Sequence, residues 1–288
     1  MKGREPKLIV AIGRKGVGKT YATLEMIQKV LRGNRALGIA PRKVLLLDTN
    51  NEFSNVQADQ NKDFVNIRAI SLKDIRRFTM SNKIDCRRVS VFKDNGKKMN
   101  LKELQEALNI ILDNFENGLL LIEDINKFVS DSLPNDLVGS IVTQRHVSVD
   151  VVLHFQSVGK VGHPKIWGNC NMLRFHKCDD TVKRHKGKFS SSLTHLYILE
   201  KMVDIEFEKG NKRFYAFLDK DSGKIVGDYT IKQFTMAIYR YLEDNYSTVF
   251  KPLLNKVDLL TSKKLYDSPK DLTKKLILEY TKKYCDKV

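Results

Sequence analysis

Long apolar runs are missing from this 288-residue chain, which offers only short stretches such as Leu8–Ile12, Val44–Leu47 and Leu119–Ile122. A membrane-spanning helix needs about 20 apolar residues in succession, so no span is expected. Met1 to Pro6 run into an apolar strand at Lys7 without a stretch suited to a secretory signal, which leads to the expectation of a cytoplasmic protein. Cysteine is scarce. Cys86, Cys170, Cys178 and Cys285 lie far apart with no C-x-x-C pair, which argues against a disulfide framework or a ribbon-type zinc site and for reduced thiols. Cys170, His176, Cys178 and His185 fall close together, but their spacing matches no zinc finger. Internal repeats and low-complexity tracts are also lacking, which leaves the terminal 40 or so residues as the expected separable module.

What is present begins with charge. The 51 Lys and Arg against 34 Asp and Glu give a formal charge of +17, which favours a polyanionic partner such as nucleic acid. The alternative is a lysine-rich, solvated surface with its charge spread evenly. At 42% hydrophobic, the chain can bury one sizeable α/β core, or a core plus a small appendage.

The order of elements points to that α/β class. Residues 7 to 12 form a short apolar run ending at glycine, as a buried parallel strand does. Leu24, Ile27, Val30 and Leu31 then repeat at helical spacing until Gly33-Asn34, and a second strand, Val44 to Leu47, completes a βαβ unit. A short helix is expected near Leu72 to Phe78 and a strand over Val89 to Phe92. Asn100 and Glu103 read as a capping box opening a helix over 101 to 116, with Leu104, Leu108, Ile111, Leu112 and Phe115 on one face. Strands at Leu119 to Ile122, Val149 to Phe155 and Met172 to Phe175 follow, the first two separated by a helix from about Pro134 to Arg145. Phe214 to Leu218 and Ile225 to Tyr229 read as a hairpin before a helix at 231 to 244. A last helix starts at Ser268-Pro269 with Leu272, Leu276, Tyr280 and Tyr284 on one side. The expected division is a main domain over 1–245 and a basic helical appendage over 246–288, with a linker near 246 to 268.

One motif carries specific chemistry. Gly13-Arg14-Lys15-Gly16-Val17-Gly18-Lys19-Thr20 satisfies G-x-x-x-x-G-K-S/T and sits between a buried strand and an amphipathic helix. Its glycines let backbone N–H groups wrap a phosphate chain at a helix N-terminus. Lys19 is expected on the β and γ phosphates of ATP and Thr20 on magnesium, with Tyr21 following at the edge of the nucleotide site. The apolar strand Leu119 to Ile122 ends in Glu123-Asp124, which by position places Glu123 at the metal, partly through water, and Asp124 at the attacking water. Gln156, at the carboxyl end of the next strand, is a candidate sensor of the γ-phosphate or the water; its plainer role is to cap the following helix. Lys183, Arg184, Lys186 and Lys188 form the densest basic cluster and are the candidate DNA contacts.

Taken together, the P-loop, Asp48 to Phe53, the acidic pair, Gln144-Arg145-His146 and His154-Phe155-Gln156-Ser157 resemble the FtsK/HerA superfamily over about residues 5 to 180. Within it the chain looks most like phage and viral genome-packaging ATPases and the amino-terminal domain of zonular-occludens-toxin-like phage proteins. The resemblance implies a RecA-like P-loop NTPase whose mainly parallel sheet, flanked by helices, places the Gln156 strand between the P-loop strand and the acidic strand. The hairpin and final helix would form a C-terminal appendage. It implies an ATP-driven double-stranded DNA translocase working as a pentameric or hexameric ring, docked on a portal, capsid or other phage protein, in the host cytoplasm or associated with virions. Arg145 matches the arginine that the family inserts into a neighbouring subunit's site, and Arg174 is a second candidate for that role. Two features depart from the pattern. The toxin-like proteins usually carry a membrane span, and the acidic pair here is reversed. A nucleotide-binding morphogenesis protein without processive turnover is the alternative, and a small-molecule P-loop kinase is the third reading.

Overall fold

The computed structural model describes residues 5–50, 53, 67–93, 95–124, 139, 141, 147–161, 164–189, 192–257, 264–266 and 268–288. Strands β1 (Leu8–Ile12), β2 (Lys43–Leu47), β3 (Arg68–Ile70), β4 (Cys86–Val89), β5 (Gly118–Ile122), β6 (Asp150–Phe155), β7 (Met172–Phe175), β8 (Ala216–Asp219) and β9 (Lys224–Val226) form one sheet in the order β3-β4-β2-β5-β6-β1-β7-β8-β9. Every pairing from β3 to β7 is parallel, and β8 and β9 add antiparallel strands at one edge. The β6 strand thus lies between the P-loop strand β1 and the acidic strand β5, as the resemblance implies.

Both faces of the sheet are covered, which is why its central strands read as unbroken apolar runs. Leu45, Leu120, Val151, Leu153 and Val10 point into a large core shared with helix α3 (Leu101–Asn114). The alternate residues Val44, Leu46, Leu119, Leu121 and Val152 pack with Leu24 and Ile27 of α1 (Lys19–Arg32). Helix α3 opens with the expected capping box: Asn100 Oδ1 accepts from Glu103 N, and Glu103 Oε2 accepts from Asn100 N.

Two short helices, α2 (Ile75–Met80) and α4 (Val158–Val161), are followed by α5 (Pro164–Asn169). Helix α6 (Leu193–Glu208) was not expected. Its buried positions include 196, 198, 199, 200, 202, 203, 205 and 206, two of them glutamates, so burial wraps most of the helix and the apolar residues lack a one-sided period. The strand expected at Val89 to Phe92 lies instead at Cys86–Val89, beside an unforeseen β3. Arginines mask it: Arg87 pairs with Asp85 at 2.7 Å, and Arg88 Nε donates to Ile67 O at 3.3 Å. The helix expected from Pro134 to Arg145 falls largely outside the described residues.

The hairpin β8–β9 precedes α7 (Ile231–Asp244), which matches its expected bounds, and a short α8 (Lys251–Leu254). Helix α9 (Pro269–Tyr284) starts where Ser268-Pro269 predicted. It places Leu272, Leu276 and Tyr284 in the same core as the sheet. Just beyond it, Cys285 bridges to Ile225, and Tyr229 Oη donates to Asp286 Oδ1 at 2.6 Å. Among the described residues no helix is long and apolar enough to cross a membrane.

Candidate nucleotide-binding site

Parallel pairing brings the chemistry to one edge of the sheet. Ile12 is in register with Phe155, and Ile122 with Leu153, so Gly13, Glu123 and Gln156 emerge side by side at the carboxyl ends of β1, β5 and β6. Gly13 has φ 155°, and a Cβ there would lie 2.6 Å from His176 Cβ, so glycine alone lets the loop turn this tightly. Gly18 has φ 82° and leads directly into α1. A cavity of about 870 Å³ opens in front of the loop, lined by Lys15, Gly16, Gly18, Lys19, Thr20 and Tyr21 on the P-loop side. The Lys19 ammonium donates to the carbonyls of Gly13 and Arg14, which keeps it in the mouth of the loop. Val17 is buried beneath it. The Arg14 side chain turns away to Asp179 at 2.9 Å and lies over the Phe207 ring.

On the opposite wall stand Glu123, Asp124 and Gln156. Asp124 is 7% exposed with φ 46°, and its Oδ2 accepts from Gln156 Nε2 at 3.1 Å and from Asn50 Nδ2 at 3.4 Å. Glu123 is 4% exposed, and its Oε2 lies 2.6 Å from His154 Nδ1. Burial alone would raise the Glu123 carboxyl, but His154 beside it, with Lys19 and Arg174 nearby, holds it below the usual carboxylate value. The Glu123 carboxylate thus faces the cavity where a cation could meet it, with Asp124 beside it. The donor set suits magnesium: a hydroxyl from Thr20, one carboxylate, and room for phosphate oxygens and water. Among the described residues no three His, Cys, Asp or Glu side chains cluster as a self-sufficient metal site, and the Cys170, His176, Cys178 and His185 grouping forms none.

Beneath the loop runs a buried polar chain. His154 and Arg174 both flank Ala11 in register, on the face covered by α1. Arg174 Nη2 donates to Thr23 Oγ1 at 2.6 Å and to Lys19 O at 3.3 Å, and His154 Nε2 lies 2.9 Å from Thr23 Oγ1. His154 Nδ1 faces the Glu123 carboxylate, and both Thr23 Oγ1 and Arg174 Nη2 lie within hydrogen-bond reach of Nε2. The chain therefore runs from Arg174 through Thr23 and His154 to Glu123, joining the P-loop helix to the acidic strand. Burial pulls the Arg174 guanidinium down to about 10, which leaves it charged at neutral pH. Arg174 is 1% exposed, and its charge is spent inside the molecule. Arg145 lies outside the described residues.

Two contributors had little sequence signal. Arg213, between α6 and β8, lines the cavity and stands over the Tyr21 ring, 5.1 Å from its centroid. A Cβ on Gly18 would lie 3.1 Å from Arg213 Cγ, so this arginine sits against the P-loop itself. His154 did leave a trace, as the lone basic residue within a buried apolar strand. The expected DNA contacts Lys183, Arg184 and Lys186 are exposed on the 3₁₀ segment Val182–Lys188, whereas Lys188 Nζ donates inward to Gly159 O at 2.8 Å.

No family model and no curated protein matches the sequence. Among solved structures, the genome packaging NTPase B204 from Sulfolobus turreted icosahedral virus 2, in complex with AMP, is similar over 79% of this chain and 99% of that one, at 15% identity and a TM-score of 0.50. The N-terminal domain of zonular occludens toxin from Neisseria meningitidis is similar over 59% of this chain and 76% of that one, at 12% identity and a TM-score of 0.27. The pCW3 conjugation coupling protein TcpA, with ATPγS, is similar over 74% and 57%, at 11% identity and a TM-score of 0.37. The first likeness shows the fold, and the looser two add nothing to it. The chain has the fold of the RecA-like P-loop NTPases.

Proposed function

We propose that this protein is an ATP-hydrolysing, oligomeric double-stranded DNA translocase of the genome-packaging kind. The observation that carries the reading is the meeting of a P-loop, the acids Glu123 and Asp124, and Gln156 in one cavity of this fold. The +17 charge and the exposed Lys183, Arg184 and Lys186 support a polyanionic partner.

In this reading the backbone N–H groups of residues 13 to 20 and the Lys19 ammonium hold the triphosphate. Magnesium, held by Thr20 and Glu123, offsets phosphate charge when bound. Asp124 orients the water that attacks the γ-phosphorus; the bond to the β–γ bridging oxygen breaks, giving ADP and phosphate. Gln156, bonded to Asp124, senses whether a γ-phosphate is present. The buried chain ending at Glu123 fixes that carboxylate relative to α1, so it need not reorganise as charge develops. Arg145 is assigned the trans-acting role in a pentameric or hexameric ring, docked on a portal or capsid protein in the host cytoplasm or at the virion.

Steady-state phosphate release with and without duplex DNA tests the reading. A translocase is stimulated by duplex. An unstimulated enzyme that still binds nucleotide would instead be a morphogenesis protein using nucleotide for assembly.

A further inference from the structure

Gln156 is not an isolated side chain at the strand end. Helix α4 begins two residues later, and the loop after β7 grips it. Asp180 Oδ1 accepts from Val158 N at 3.0 Å and Oδ2 from Gly159 N at 2.9 Å. His185 Nε2 lies 2.9 Å from the same Oδ2, and Lys188 Nζ donates to Gly159 O. The His185 ring fills the space beside Gly159: a Cβ there would lie 2.5 Å from its Cε1. Val158 and Val161 are buried, so α4 is anchored from below as well. The same loop is tied to the P-loop, because Arg14 N donates to Lys177 O at 2.8 Å and the Arg14 guanidinium pairs with Asp179.

These attachments join two places with different chemistry. One is the nucleotide cavity, reached through Gln156 and the backbone of the P-loop at Arg14. The other is a basic face carrying exposed Lys160, Lys183, Arg184 and Lys186. Between them lies an open cleft of about 500 Å³, lined by Gln156, Ser157, Lys160 and Arg184 among others. The acids at its margin are engaged, Asp179 by Arg14 and Asp180 by His185 and two backbone N–H groups, while Lys160 and Arg184 stand exposed beside them.

Resting on the translocase reading, we propose that this face takes the phosphodiester backbone of duplex DNA and that the Asp180–His185–Gly159 clamp transmits its binding to Gln156. DNA held by Lys160, Lys183, Arg184 and Lys186 moves segment 182–188, the clamp carries α4 with it, and Gln156 shifts relative to Asp124. His185 is a positioning residue here, acting through α4.

The test uses the full chain, a fluorescent 30-base-pair duplex for affinity, and phosphate release with and without that duplex. Coupling between sites typically spans 5- to 150-fold, so His185→Ala is expected to lose at least about fivefold of the duplex-induced stimulation. Its duplex affinity and DNA-free rate should stay within about twofold of wild type, since it touches neither ligand. Gly159→Ala, whose Cβ displaces the ring, should uncouple in the same way. Lys160→Glu with Arg184→Glu should weaken duplex affinity by about tenfold or more and lower its salt dependence. Normal stimulation in both clamp variants overturns the transmission, as does loss of DNA-free turnover or of folding in His185→Ala, which would make the clamp merely structural. Unchanged affinity in the double variant overturns the surface. A wild-type rate indifferent to duplex overturns the translocase reading itself, and the coupling with it.

Discussion

Arg174→Met separates an internal support from a catalytic finger. The arginine is 1% exposed, donates to Thr23 Oγ1 and Lys19 O, and lies 5.8 Å from the centroid of the Tyr215 ring. Methionine keeps much of the volume but none of the donors. Thr23 and His154 still bond each other, while Glu123 loses a nearby positive charge in a buried setting. Removing one member of a buried charged network costs about 3 to 5 kcal/mol, less whatever is recovered by no longer burying a guanidinium. A net loss of about 3 kcal/mol is expected, which for a chain of this size lowers Tm by roughly 6 to 12 °C. Thermal unfolding followed by circular dichroism measures it, alongside phosphate release by Arg174→Met alone and mixed with Lys19→Ala subunits. A Tm within about 2 °C of wild type, together with lost hydrolysis that mixing restores, would refute the internal role.

Burial pushes the Glu200 carboxyl up to about 7, with Asp204 adding to it and the Val182 N–H opposing. The folded state therefore holds this proton more tightly than the unfolded state, so the contribution to stability is full below pH 4.5 and is lost as pH rises to 7. Glu200→Gln, which can still accept from Val182 N, should gain on the order of 3 kcal/mol relative to wild type between pH 4.5 and 7; a pH-independent difference would contradict this. Arg213→Ala should raise the Kd of a fluorescent ATP analogue by about tenfold, from loss of a charged hydrogen-bond donor, with little change in Tm because the residue is exposed; an unchanged Kd would place Arg213 off the nucleotide. Leu276→Ala should cost about 2 to 5 kcal/mol in global stability, since Leu276 belongs to the main core. A melt unaffected by it would support 246–288 as the separable module that its basic composition suggests.

Elements with local signals were legible in the residues. The capping box at Asn100 and Glu103, the turn before β9 and the Ser268-Pro269 start of α9 each satisfy backbone groups within a few residues of themselves, so no tertiary knowledge is needed to read them. The P-loop was legible for the same reason. Helix α6 was not, because it is buried around most of its surface, Glu200 and Glu206 included, so its apolar residues mark no single face. Arginines at 87 and 88 hid β4, their charges met by Asp85 and a backbone carbonyl that only the fold supplies. Site residues divide along the same line. Lys19 announces itself in the P-loop motif and Glu123, Asp124 and Gln156 at strand ends, whereas the Arg174–Thr23–His154 chain exists only once β6 and β7 are placed on either side of β1. Arg213 reaches the P-loop from beyond α6, a distance along the chain that no motif spans.

The central claim is that the cavity in front of Gly13 to Thr20 hydrolyses ATP. Magnesium-dependent phosphate release by the purified full chain, measured beside Lys19→Ala and Asp124→Asn, tests it most directly. The wild type should turn over, Lys19→Ala should lose both turnover and tight triphosphate binding, and Asp124→Asn should keep the nucleotide while its rate falls by about 100-fold or more. Equal rates in all three proteins would contradict the account.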